Sequence, residues 1–200
     1  GEAARISQVQ IQWQGDIAQQ RQADPQREQV VSQWALPAGR EFSQTAWSQA
    51  KTQALKWVQA ERYPHARIAS SQARVDVPNK QVALSLTIDS GPLVTLGPLL
   101  ISGTERYSLE LVERLAHLTP GAVYKQNDLL MAQQRLVASG FYDAVFVSLD
   151  SPAPAEATPV KVELKETLRQ KWVLGLGVRS DSGPRLTAEY THLRLPRLDW

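Results

Sequence analysis

Two hundred residues, with 22 Lys+Arg against 20 Asp+Glu and no cysteine, allow one large domain or two of about 70–100 residues. The even charge (formal +2) excludes an electrostatic nucleic-acid platform, and the missing cysteine excludes disulfide frameworks, thiolate metal sites and thiol nucleophiles. No apolar run approaches the ~20 residues of a membrane helix, and no signal peptide is visible.

From Ser7 to Gln14 the chain alternates: Val9, Ile11 and Trp13 face one way, Gln8, Gln10, Gln12 and Gln14 the other. That pattern predicts a strand with one face in a core and one in water. Asp24-Pro25 opens a helix, with Asp24 as N-cap and Val30, Val31 and Trp34 inward, and Pro37 with Gly39 ends it. A longer helix runs from about Ser43 to Tyr63-Pro64, carrying Trp47, Ala50, Ala54, Trp57 and Val58 on one stripe. Two strands follow, Ala66–Asp76 and Gln81–Asp89, joined by a Pro78-Asn79 turn.

After Gly91-Pro92 the order begins again. Leu93–Ile101 reads as a strand broken at Gly97-Pro98. Ser108 caps a helix bearing Leu111, Val112, Leu115 and Leu118, and Asn127 caps a second with Leu129, Ala132 and Leu136 inward. Gly140 supplies its left-handed C′ residue, and strands Tyr142–Leu149 and Val160–Leu164 close the unit. Gly39-Arg40-Glu41-Phe42 aligns with Gly121-Ala122-Val123-Tyr124, and Val82, Leu84 and Leu86 align with Val160, Val162 and Leu164. A repeat of about 80 residues predicts an α+β chain of two tandem βααββ domains.

Two helices can cover one face of such a sheet, which leaves the glutamine row in water and two strand edges unpaired. Ala66–Arg74 holds two arginines, no proline and little bulk. It reads either as a docking edge or as a hydrated edge without a partner. Beyond Glu166 the character changes. Trp172, Leu174, Leu176 and Val178 alternate with smaller or polar residues, Asp181-Ser182-Gly183-Pro184 is a turn, and Leu186, Ala188 and Tyr190 alternate again. Strands of ~9–11 residues with one apolar side fit a transmembrane β-barrel wall, although two strands cannot close one and a soluble hairpin fits this segment taken alone.

His65, His117 and His192 lack metal-ligand spacing, and Gly175-Leu176-Gly177 lacks the third glycine of a dinucleotide loop. Asp76, Asp89 and Asp143 sit at strand ends or turns, where solvation accounts for them. No catalytic, cofactor-binding or metal site is expected, and Trp13, Trp34, Trp47 and Trp57 are expected to fill cores.

The run Gln134-Arg135-Leu136-Val137-Ala138-Ser139-Gly140-Phe141-Tyr142-Asp143-Ala144-Val145-Phe146-Val147 resembles the second-helix-to-second-strand junction of a POTRA (polypeptide-transport-associated) domain. Val94 and Ile101-Ser102-Gly103-Thr104 resemble that domain's first strand and exit loop. Trp172 to Arg185 resembles the first strand and turn of an outer-membrane assembly-factor barrel, of the TamA type within the BamA/TamA superfamily. The resemblance implies α+β domains over residues 1–91 and 92–168, each a three-stranded mixed sheet covered on one face by two helices. Residues 169–200 would be two strands of a truncated barrel. Such proteins usually carry three repeats, so Gly1 reads as an added residue on a trimmed fragment.

The same resemblance implies a periplasmic scaffold at the Gram-negative outer membrane, non-enzymatic and without cofactor or nucleic-acid partner. Its partners would be unfolded or nascent outer-membrane proteins and an inner-membrane-anchored TamB-like subunit, with membrane attachment through the full barrel. By family analogy the second strand of each repeat is an edge open to β-augmentation, placing Arg67, Ile68, Ala69, Ser70 and Arg74, and Tyr142, Ala144, Val145, Phe146 and Val147, at the binding site. The transporter of two-partner secretion and a cell-division interaction protein are the alternative readings.

Overall fold

The computed structural model describes residues 4–167, 170–179 and 183–192, with side chains through residue 167. Its order is β1 (Arg5–Gln14), α1 (Asp16–Gln19), a 3₁₀ turn (Arg21–Ala23), α2 (Asp24–Ser32), α3 (Gln44–Ala60), β2 (Arg67–Asp76) and β3 (Gln81–Asp89). Then come β4 (Leu96–Ser102), α4 (Leu109–Ala116), α5 (Gln126–Ala138), β5 (Tyr142–Leu149), β6 (Thr158–Glu166), β7 (Gln170–Arg179) and β8 (Gly183–His192). Among the described residues the strands form two three-stranded sheets, ordered β1-β3-β2 and β4-β6-β5, and a β7-β8 ribbon. In each sheet the central strand runs parallel to the first strand and antiparallel to the second, so the expected mixed α+β architecture is present.

Each sheet carries its own core. Val82, Leu84, Leu86 and Ile88 of β3 meet Val30 of α2 and Trp47, Ala50, Ala54 and Val58 of α3. Val160, Val162 and Leu164 of β6 meet Val112 of α4 and Leu129, Ala132 and Leu136 of α5. The opposite face of the first sheet is polar: Gln10, Ser85 and Gln72 lie in one row, Gln12, Thr87 and Ser70 in the next. Trp34 and Trp47 are buried and meet edge to face at 6.0 Å, while Trp13 and Trp57 are half-buried against the same core.

The Gly39 and Gly121 alignment corresponds bond for bond. Gly39 N–H donates to Ile6 C=O (2.7 Å), Ile6 N–H to Arg40 C=O (2.8 Å) and Phe42 N–H to Ala4 C=O (2.8 Å). In the second repeat Gly121 N–H donates to Leu96 C=O (2.7 Å), Leu96 N–H to Ala122 C=O (2.8 Å) and Tyr124 N–H to Val94 C=O (2.9 Å). Both glycines hold a positive φ, 88° and 84°, a conformation that disfavours any side chain. Val82 and Val160 are equivalent against the antiparallel partner, where they face Val75 and Leu149. Against the parallel partner the register slips: Ile6 faces Val82, but Leu96 faces Thr158. A slip of two residues keeps every side chain on its own face.

Several local expectations are corrected. Asp24 is not an N-cap: the 3₁₀ turn runs straight into α2, Ala23 is already helical, and the Asp24 carboxylate pairs with Arg27 one turn on. Val31 is exposed, because Val30 and Trp34 share a face one turn apart and Val31 points off it. Asn127 is not a cap either; the extended residue is Lys125, and Asn127 lies in the first turn. Ser43 and Ser108 do cap, accepting from the Ala46 and Leu111 amides. The first strand of the second repeat is assigned from Leu96 rather than Leu93, and its ladder slips between Leu96 and Leu99, at Gly97-Pro98. Expectations for Gly1, for Asp181 and Ser182, and for the approach to Trp200 lie outside the described residues, as does the direction of every side chain in β7 and β8.

Candidate functional site

The sheet order places β2 and β5 at an outer margin, each paired on one side, with β3 and β6 respectively. The opposite margins are partly closed by the molecule itself, since residues 40–42 and 122–124 pair with the chain at the starts of β1 and β4. Beyond those starts β1 and β4 are also paired on one side alone, whereas among the described residues β2 and β5 have no second backbone partner anywhere along their length.

Along β2, Arg67, Ala69, Ser70 and Arg74 are exposed and Ile68 is half-buried. The strand slips register between Ile68 and Ser70, where one extra residue bulges the edge. Arg67 Nη2 donates to Asp89 Oδ2 at 2.6 Å across the strand pair. Two side chains of α3 reach over: Lys51 Nζ donates to Ser71 Oγ (3.3 Å) and Gln59 Nε2 to Ala66 C=O (2.7 Å).

Along β5, Ala144 and Phe146 are exposed, Val145 is half-buried, and Tyr142 and Val147 are buried. Of the expected contact residues, Tyr142 and Val147 thus have core side chains, and burial pushes the Tyr142 phenol above its ordinary range. Their contribution to an edge would be backbone alone. The Val147 N–H donates to Gln133 Oε1 of α5 at 3.4 Å, so this amide points away from β6. Alternation along an antiparallel strand aims the Val145 and Leu149 amides the same way. Gln133 lies on a helical stripe with Leu130 and Val137, both about half-exposed at 50% and 49%. On the other side of the strand Phe146 is 57% exposed. A backbone edge flanked by apolar side chains on both sides can hold an extended chain through main-chain bonds and apolar contact together.

Sequence reasoning missed Gln133, because a single glutamine on an amphipathic helix carries no signal of what it faces. It also missed a carboxylate latch at the end of β6. Glu166 Oε1 accepts from Thr104 Oγ1 (3.0 Å) and from the Glu105 and Arg106 amides (2.8 Å each), while Arg106 Nε donates to Oε2 at 2.6 Å. Burial raises the Glu166 carboxyl, but these donors together outweigh it and hold the group at about 2. Tyr107, Phe141 and Tyr142 stack beside the latch, with ring centroids 4.9–6.4 Å apart. Among the described residues no group of three or more His, Cys, Asp or Glu side chains converges on a metal-sized site.

No protein-family model matches the sequence. The chain is similar to the crystal structure of BamA from Haemophilus ducreyi lacking POTRA domains 1–3 (19% identity, TM-score 0.67, 94% of this chain and 34% of that one). It is also similar to POTRA domains 3–5 of BamA from Haemophilus influenzae (20% identity, TM-score 0.59, 83% and 63%). POTRA domains 1–2 of the periplasmic domain of Omp85 from Anabaena match at 14% identity and TM-score 0.53, over 84% and 99%. The chain spans about a third and under two thirds of the two BamA structures. The fold is that of tandem POTRA domains.

Proposed function

We propose that this chain is a periplasmic interaction scaffold of a TamA-like outer-membrane protein assembly or translocation factor. Residues 1–91 and 92–168 are its POTRA-type units, and residues 169–200 begin its barrel. The units bind extended polypeptide by β-augmentation at β2 and β5. The observation that carries this reading is the Val147 amide, which turns outward from the last strand of its sheet onto a side-chain acceptor that an added strand could replace. Clients would be unfolded or nascent outer-membrane proteins, and an inner-membrane-anchored TamB-like subunit would be the standing partner. The fold of the Omp85 periplasmic domain supports the compartment.

Magnitudes suit a site of passage. Four or five backbone hydrogen bonds at a net ~1 kcal/mol each, less the cost of ordering the incoming chain, leave millimolar-to-micromolar binding. Main-chain pairing also tolerates clients of varied sequence. The test is proline at Ile68 or Val145, read by NMR titration with a client-derived peptide of alternating apolar and polar residues. Proline at Val145 removes an outward amide and leaves the ladder to β6 in place. Binding should fall at least about tenfold in a variant whose amide spectrum remains native, as expected for one or more lost edge bonds. Unchanged binding in such a variant rejects the edge as the site.

A further inference from the structure

A groove of about 630 Å³ lies between the two repeats, and one of its walls is the helix that flanks β5. Trp57, Glu61 and Arg62 line it at the end of α3, and Lys125, Asn127 and Leu130 at the start of α5. The chain's own bonds fix both walls. Gln26 Nε2 of α2 donates to the carbonyls of Trp57 (3.3 Å), Val58 (3.1 Å) and Glu61 (3.0 Å). The walls are then tied backbone to backbone: Tyr124 N–H donates to Val94 C=O (2.9 Å), Val94 N–H to Arg62 C=O (2.9 Å), and Arg62 N–H to Tyr124 C=O (2.8 Å). A groove built this way is preorganised, so an occupant does not have to order it.

Position and charge point to the occupant. Leu130 lines the groove and also stands on the stripe with Gln133 and Val137 that borders β5. The short connection between α5 and β5 makes them antiparallel, so the groove lies beyond the Leu149 end of the edge. From Gln133, which meets the Val147 amide, back to Asn127 the helix rises about 9 Å, the span of about three residues of extended chain. Two cations share one carboxylate here: Glu61 Oε1 lies 3.8 Å from Arg62 Nε and 3.8 Å from Lys125 Nζ. Among the described residues that line the groove Glu61 alone is acidic, which leaves a net positive charge. Beside that charge Trp57 is half-buried and Leu130 is 50% exposed, so apolar surface is open as well. We infer that the junction groove continues the β5 edge and takes the next residues of the same extended polypeptide: an apolar side chain against Trp57 and Leu130, and an Asp or Glu carboxylate on Lys125 and Arg62. The inference rests on the β-augmentation reading of β5 and adds to it a partner chemistry, an acidic residue a few positions outside the paired stretch. The first repeat thereby helps to hold what the second repeat pairs with.

The test titrates the full chain with three peptides, each N-acetylated and C-amidated so that a side chain carries the only carboxylate. A core peptide alternates valine and threonine over about eight residues, enough to cover β5. The other two add about four residues, including a leucine and a glutamate, at the N-terminal end in one and the C-terminal end in the other. Both are needed because antiparallel and parallel addition bring opposite ends to the groove. One extended peptide should bind about tenfold tighter than the core peptide and shift the Trp57 indole and Asn127 amide NMR signals, which the core peptide leaves in place. Glutamine for that glutamate should weaken binding about threefold; Lys125→Gln should weaken the glutamate peptide equally and the glutamine peptide little. Equal affinities for all three peptides, with Trp57 and Asn127 unmoved while the Val147 amide responds to each, overturn the inference and leave the β5 edge standing. A Val147 amide indifferent to every peptide overturns both. A gain in affinity that survives Lys125→Gln and the loss of the glutamate alike refutes recognition of a carboxylate.

Discussion

The first and second repeats share a backbone frame but present different margins. Both start with a strand pinned by an αL glycine and two further backbone bonds, and both bulge the first strand against the central one. At the outer strand they part. Helix α5 packs closely along β5, plugs one outward amide with Gln133 and offers Leu130 and Val137 beside it. Helix α3 makes no comparably close approach to β2 and reaches it through the long polar arms of Lys51 and Gln59. The bonds that pin the first strand to the glycine turn are those of the backbone, and they match in both units. The edge is left to side chains, and these differ. A tandem array built this way can change the side chains along each edge without changing how each unit folds.

The frame can be broken most severely where backbone touches backbone. A Cβ on Gly103, which holds φ +82°, would lie 1.8 Å from the Leu164 carbonyl oxygen. Gly103→Ala should therefore destabilise the second repeat by more than about 3 kcal/mol, read as loss of its cooperative unfolding transition. Retention of the wild-type Tm would remove the close approach from the account.

Next in size is the latch at the end of the second repeat. Glu166→Gln should cost about 1–3 kcal/mol in chemical denaturation at neutral pH, because a charged acceptor of several bonds becomes a poorer one. The Glu166 carboxyl lies below its ordinary value of 4.5, so its contribution is complete above that pH and is lost as pH falls through 4.5 toward 2. The difference between wild type and the Gln variant should shrink over that interval. A difference that stays constant down to pH 2 contradicts the assignment.

The shared frame makes a symmetric demand. Gly39→Ala and Gly121→Ala each meet open space, leaving the cost of a positive φ, about 1 kcal/mol, in each unit. Unequal losses would show that the two turns are not equivalent. The smallest effect separates the edges. Gln133→Ala frees the Val147 amide, so its hydrogen exchange should quicken while global stability changes by less than about 1 kcal/mol. Exchange as slow as before would mean that Gln133 does not hold that amide.

Most of the fold was legible in the sequence because it rests on period and punctuation. Alternation in Ser7–Gln14 and Val160–Leu164, the cap at Ser108, the helix start near Ser43 and the Gly39/Gly121 pair are local signals that the structure repeats. The misreadings at Asp24 and Asn127 share a cause: each has cap chemistry, but the preceding backbone decides where the helix begins. The repeat pattern together with the family resemblance put β2 and β5 at the margin, and the sheet order agrees. What flanks that margin was not legible. Gln133 meeting Val147, Arg106 meeting Glu166 and Arg62 meeting Tyr124 join residues 14, 60 and 62 positions apart, through a geometry no short window contains.

The most direct measurement is amide hydrogen exchange along β5 with a saturating alternating apolar–polar peptide. Slowed exchange is expected at Val145, Val147 and Leu149, the amides turned away from β6, with little change at the neighbouring Ala144 and Ser148. Exchange left as it was at those three positions, with spectral shifts gathered instead around Phe146 and Lys161 on the open sheet face, would contradict it.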